Sequence, residues 1–182
     1  LNALHRYKKY TDTNIILTID DLVTDLPDDN PFKKIAPRDA RSRLREALSY
    51  SDRMIVTTEP LREYCENMIE EIHGVPNYLE NEIWEGLGSL RAQSSRPRVG
   101  WAGAQQHGGD LAFILDIVKE TANEIDWVFF GMCPDEIKSC VAENHEFEKS
   151  FVDYAHKLAS LNLDLAIAPL EVHPFNEAKS NL

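Results

Sequence analysis

Two stretches carry residues whose types and spacing suit chemistry. In VGWAGAQQHGGD (99–110) an apolar, strand-like run opens into a loop holding Gly103, His107, Gly108 and Gly109. Glycines let backbone N–H groups approach an anion closely. His107 can donate a hydrogen bond to a phosphate or sugar oxygen. The spacing is neither GxGxxG nor GxxxxGK[ST], and a plain tight turn between strand and helix would use the same residues. In HPFNEAKSNL (173–182) Asn176 is a candidate N-cap, which puts Lys179 and Ser180 in the first helical turn. A lysine there opposes the helix dipole unless an anion sits at the helix start. Lysine, free amides and a serine hydroxyl together suit a diphosphate; an exposed lysine with no ligand is the plain alternative.

Further candidates stand at other strand ends. Asp20 and Asp21 close the run NIILTI (14–19), and Glu59 follows RMIVTT (53–58). Either aspartate could contact an acceptor hydroxyl, or simply cap a loop through its side-chain oxygens. Asn77, in VPN, follows another possible strand end. The six histidines show no HxH, HExxH or Cys/His pairing, so no metal site is expected. Cys65, Cys133 and Cys140 are odd in number and lack CxxC spacing, which fits reduced thiols in the cytoplasm.

The elements that would position these residues alternate in type. The 182 residues are 43% hydrophobic and 27% charged, ordinary for a globular chain. With 31 acidic against 19 basic residues the net charge is −12, which argues against a duplex nucleic-acid partner. No apolar run is long enough to span a membrane. Residues 38–51 show helical spacing through Ala40, Leu44, Ala47 and Leu48. Leu61, Tyr64, Cys65, Met68, Ile69 and Ile72 form an apolar stripe that predicts one long helix ending at Gly74, with Cys65 packed in the core.

Residues 85–97, rich in Gly, Ser and Pro, read as a linker. After it RVGWAG (98–103), DWVFFG (126–131) and LDLAIAPL (163–170) read as buried strands. Between them lie a helix capped by Asp110, carrying Leu111, Ile114, Leu115, Val118 and Ala122, and a helical segment at 135–143. Continuous apolar strands alternating with amphipathic helices imply parallel sheets covered on both faces. The expected class is α/β, with two Rossmann-like units: residues 1–84 and 98–182, joined by 85–97. Both look incomplete, as in a segment of a longer protein.

Taken in order, the blocks IDDL, TTEPL, VPNYLE, RPRVGWAGAQQHGGDL, DWVFFG and DLAIAPLEVHPFNEAKSNL resemble group-1 retaining glycosyltransferases of the GT-B fold, which serve bacterial surface-polysaccharide synthesis. The resemblance covers nearly the whole chain, and its last block is the most specific. It implies a cytoplasmic enzyme with an N-terminal acceptor domain and a C-terminal domain for a nucleotide-diphosphate sugar. The acceptor would be a glycan, a lipid-linked molecule or a protein, and the parent could associate with a membrane. By position Gly103, His107 and Gly109 match the family's glycine-rich loop, and Lys179 and Ser180 its phosphate-facing helix start. Glu171 lies near the family's first donor-site glutamate at a different spacing, and Asn77 matches a Pro-Asn element before the hinge. The chain stops before the family's second acidic residue, so activity of this segment alone is not expected. The scheme requires neither metal nor cofactor, and no catalytic base is assigned. A non-catalytic nucleotide or sugar-phosphate binding module is the alternative. A receiver-like domain, suggested by IDDL, lacks its partner residues at later strand ends.

Overall fold

Buried apolar runs set the sheets. The structure, a computed structural model, describes residues 1–28, 30–87 and 95–180. Its elements are α1 (Asn2–Tyr10), β1 (Ile16–Ile19), α2 (Ala40–Ser49), β2 (Arg53–Val56), α3 (Glu59–Cys65), β3 (Ile72–Gly74), α4 (Asn81–Trp84) and β4 (Arg98–Gly103). They continue with α5 (Gly108–Ala112), α6 (Leu115–Thr121), β5 (Asp126–Gly131), β6 (Glu143–His145), α7 (Phe151–Ser160), β7 (Leu165–Ala166) and α8 (Pro174–Glu177). The chain is thus α/β, with two all-parallel sheets.

It divides into two compact units. The first contains Leu1–Asp28, Phe32–Tyr78 and Val172–Leu182, and the second contains Leu79–Glu171 with Asp29–Pro31. The segment from Val172 onward, expected with the second half, is therefore grouped with the first. Of the expected linker 85–97, residues 88–94 lie outside the described residues.

In the first unit β1, β2 and β3 lie side by side in chain order, with Ile16 opposite Arg53 and Met54 opposite Ile72. Its core gathers Leu22, Leu48, Met54, Val56, Leu61 and Cys65, joined by Phe175 and Ala178. Cys65 packs there as its place on the apolar stripe predicts. The long helix predicted through Ile72 is corrected: α3 stops at Cys65, and Ile72 and Gly74 belong to β3. The stripe has helical period, but a third strand adds backbone hydrogen bonds to β2, such as Met54 N–H to Glu71 O at 2.9 Å. Sheet pairing outweighs local propensity here.

In the second unit the strand order is β6-β5-β4-β7. β4 and β5 pair along their full length, from Arg98–Asp126 to Gly103–Gly131. Their side chains alternate between two cores. Trp101, Trp127 and Phe129 join Leu111, Val118 and Ile137 on one face. Val128 and Phe130 join Leu161 on the other, where α7 supplies Tyr154 and Leu158. The predicted single helix after β4 is instead two short ones, α5 and α6, separated at Phe113 and Ile114. The helical segment read at 135–143 is a single 3-10 turn, Asp135–Ile137, followed by β6, which starts at Glu143. LDLAIAPL, read as a buried strand, contributes only two residues as β7, and both are exposed, because β7 is an edge strand of the sheet.

Candidate functional site

The order β6-β5-β4-β7 has one point where the chain changes direction across the sheet. From β4 it steps outward to β5 and β6, then returns to place β7 on the other side of β4. In open parallel sheets ligands bind beyond the carboxyl ends of the strands at such a switch. Here that place is the loop after β4 beside the loop after β7. The first carries Gly103, His107, Gly108 and Gly109; the second leads to Glu171.

The two loops are joined by Asp110. Its side chain is 6% exposed and lies 2.8 Å from His107 Nδ1 through Oδ2. Its other oxygen accepts the backbone N–H of Glu171 at 2.8 Å. Asp110 therefore does not cap the helix, as its position suggested; His107 occupies the N-cap position of α5. An ionised carboxylate only accepts, so Nδ1 is the proton-bearing nitrogen and Nε2 is left over. Trp101 meets the His107 ring edge-on at 6.2 Å between centroids. Gly108 has open space where a Cβ would stand, whereas Gly103 is closed in by the Trp101 ring. Cys133 follows β5 nearby in sequence, but burial pushes its thiol up, and it is a poor nucleophile at neutral pH.

Asp110→Ala is expected to cost about 1–3 kcal/mol, because it leaves the Glu171 amide without this acceptor. Urea unfolding followed by tryptophan fluorescence reads this directly: Trp84, Trp101 and Trp127 all lie in the second unit. A loss below about 0.5 kcal/mol, the range of ordinary surface substitutions, would show that Asp110 does not hold the two loops.

The remaining candidates fall in the first unit. A cavity of about 540 Å³ is lined by Thr58, Glu59, Asn77, Glu177, Lys179 and Ser180, among others. It lies beyond the carboxyl ends of β2 and β3 and brings together Glu59, Asn77, Lys179 and Ser180. Glu59 is exposed and pairs with Arg62 at 3.3 Å. Asp20 is exposed after β1, and its carbonyl accepts from Thr57 Oγ1 at 3.4 Å; Asp21 follows, half-buried.

The helix reading of the last segment is corrected. α8 runs from Pro174 to Glu177, His173 is its N-cap through Nδ1 to Phe175 N–H at 3.1 Å, and Asn176 is buried inside it. Pro174, with its fixed φ, starts the helix two residues before Asn176. Lys179 consequently lies past the helix C-terminus, where a cation is favoured rather than opposed. Its ammonium sits 5.0 Å from the Phe175 ring centroid. Thr58 Oγ1 donates to Ala178 O at 2.8 Å and ties this end to the start of α3.

The residue missed from sequence was Asp110 as the partner of His107. Its signal was present: three residues apart at a helix start, the two side chains share a face. Among the described residues no group of three or more His, Cys, Asp or Glu is arranged to hold a metal ion. No described helix is long and apolar enough to cross a membrane.

Fold and site together define an α/β protein with a Rossmann-like second sheet whose switch-point loops are cross-linked by a His–Asp pair. No protein-family model matches the chain, and no curated protein matches it either.

Proposed function

We propose that this chain acts as a group-1 glycosyltransferase of the GT-B type, transferring a sugar from a nucleotide-diphosphate donor to an acceptor hydroxyl. The observation that carries the reading is the switch point between β4 and β7, with the glycine-rich loop, His107 and Glu171 gathered there. That is where a doubly wound sheet receives a nucleotide. The order of the sequence blocks supports the same reading. In the reaction the bond from the sugar's anomeric carbon to the diphosphate breaks and a bond to the acceptor oxygen forms. The acceptor proton is released, and the diphosphate leaves with the charge. His107, its Nδ1–H held by Asp110, offers the Nε2 lone pair as an acceptor to a hydroxyl of the donor sugar. Lys179 and Ser180 are proposed as phosphate contacts. Glu171 belongs to the donor site in this reading, and Asp20, Asp21 and Glu59 to the acceptor side. A cytoplasmic enzyme of surface-glycan synthesis fits this assignment.

The test is a thermal-shift screen with UDP, GDP, ADP, dTDP and their sugars. A ligand at about 100 times its dissociation constant adds about 2.7 kcal/mol. For a chain of this size that raises Tm by roughly 5–10 °C. The expected result is a rise with one nucleotide, lost in His107→Ala. No rise with any nucleotide overturns the reading for this chain. Incorporation of labelled sugar into an acceptor then separates an enzyme from a binding module.

A further inference from the structure

We infer that the first unit holds a second site, a pocket for a phosphorylated small molecule beside the start of α2. The pocket has a volume of about 330 Å³. Its lining includes Lys33, Arg38, Arg41 and His173, with Asp25 as its one carboxylate. In a chain of net charge −12 this is a local reversal of sign.

The acidic groups near it are already engaged. Asp28 pairs with Lys33 at 2.6 Å, and that hydrogen bond holds its carboxyl below the usual range. Asp39 pairs with Arg43 at 2.8 Å. Asp25 accepts from Tyr64 Oη at 3.2 Å and Thr24 Oγ1 at 3.1 Å. Arg38 and Arg41 make no ion pair among the described residues. The Arg41 guanidinium lies 5.2 Å from the Tyr64 ring centroid, a contact that leaves its N–H groups available.

His173 adds another donor. Its Nδ1 lone pair accepts the Phe175 N–H, so the proton of the neutral ring is on Nε2. The pocket thus offers two guanidinium forks and one imidazole N–H as donors, against the single carboxylate of Asp25, whose Oδ2 takes both of its hydroxyl bonds. Only an acceptor-rich ligand matches them, and a fork is matched best by phosphate or carboxylate oxygens.

The size selects among such ligands. The volume corresponds to roughly ten water molecules, far more than one phosphate group fills. The remaining wall is apolar, through Val23, Leu26, Ala36 and Pro37. A phosphate bonded to an organic body fits both parts. This pocket shares no lining residue with the cavity of Lys179 and contains none of the residues assigned to the sugar-transfer reading.

Calorimetric titration at constant ionic strength tests the inference, with inorganic phosphate and glucose 1-phosphate as probes. Both are expected to bind saturably, the ester more tightly. Arg38→Gln with Arg41→Gln is expected to weaken binding by about tenfold or more, since each removes charge-assisted hydrogen bonds to the phosphate. Lys179→Ala and His107→Ala should leave it unchanged, which separates this site from the nucleotide site. Both arginines are exposed, so an unchanged far-UV spectrum is expected for the double variant. A lipid headgroup offers the same phosphate, and flotation with phosphatidylcholine vesicles, with and without phosphatidic acid, distinguishes that source. Binding to the phosphatidic acid vesicles that is lost in the double variant upholds the pocket with a lipid as its ligand. Absence of binding to all probes, or binding unchanged in the double variant, overturns the inference.

Discussion

Gly131→Ala is expected to destabilise the second unit by about 3–4 kcal/mol, the sum of backbone strain and a clash. Gly131 ends β5 with φ of +104°, a region that residues with a side chain rarely adopt. A Cβ built there collides with the carbonyl oxygen of Gly103 and stands 3.3 Å from Phe147 Cδ2. That carbonyl is held by Met132 N–H at 3.0 Å, the bond with which the β4–β5 ladder closes. It cannot retreat without opening the ladder just before the His107 loop. The midpoint of urea unfolding, followed by the three tryptophans, should fall markedly while m stays constant. Gly108→Ala is the control: nothing lies within 4 Å of its Cβ position, and α5 continues from it. It should be neutral or stabilising by up to about 1 kcal/mol. If Gly131→Ala behaves like Gly108→Ala, the turn after β5 is not the one described here. The effect is local to the switch-point unit, so the same variant asks whether nucleotide binding depends on that edge of the sheet.

What was legible in the sequence follows the physics of each segment. β4 and β5 were readable to the residue because a strand buried on both faces must be apolar through its middle, and after their first, charged residues RVGWAG and DWVFFG are. β3 was not readable, because Ile72 continues a helical stripe and only its pairing with Met54 makes it a strand. The place of His107 could be read from glycines flanking a strand end. Its i, i+3 partner Asp110 was within reach of the sequence, but the second role of Asp110, accepting from the Glu171 amide, was not, because it depends on the return of the chain as β7, a non-local event. The last segment shows the same limit. Asn176 and Pro174 are both plausible helix starters, and the choice rests on Phe175 and Ala178 entering the core of the first unit. The pocket of Arg38, Arg41 and His173 had no local signal at all, since His173 lies more than a hundred residues from the arginines.

Phe129→Ala and Phe130→Ala are expected to cost about 3–5 kcal/mol each, through cavities on opposite faces of one sheet. Both side chains are fully buried. Phe129 packs with Trp101, ring centroids 6.0 Å apart, in the core under α5 and α6. Phe130 stacks on Tyr154 of α7 at 4.9 Å with 22° between the planes. Adjacent in sequence, they share no core, so the double variant should lose nearly the sum of the single losses. A second readout separates the faces. Burial holds the Tyr154 phenol above its ordinary pKa. Removing Phe130 lets water reach that ring, so the Tyr154 titration should move down toward the free value, while in Phe129→Ala it should stay raised. Indole fluorescence should respond in the opposite sense, changing most when Phe129 leaves Trp101. A loss under about 1 kcal/mol in Phe130→Ala would mean that α7 does not cover its face. The sheet would then be open on one side, contrary to the rule that parallel strands are buried on both. The argument for a nucleotide site at β4–β7 would lose its basis with it, because α7 is the crossover that carries the chain back from β6 to the far side of β4.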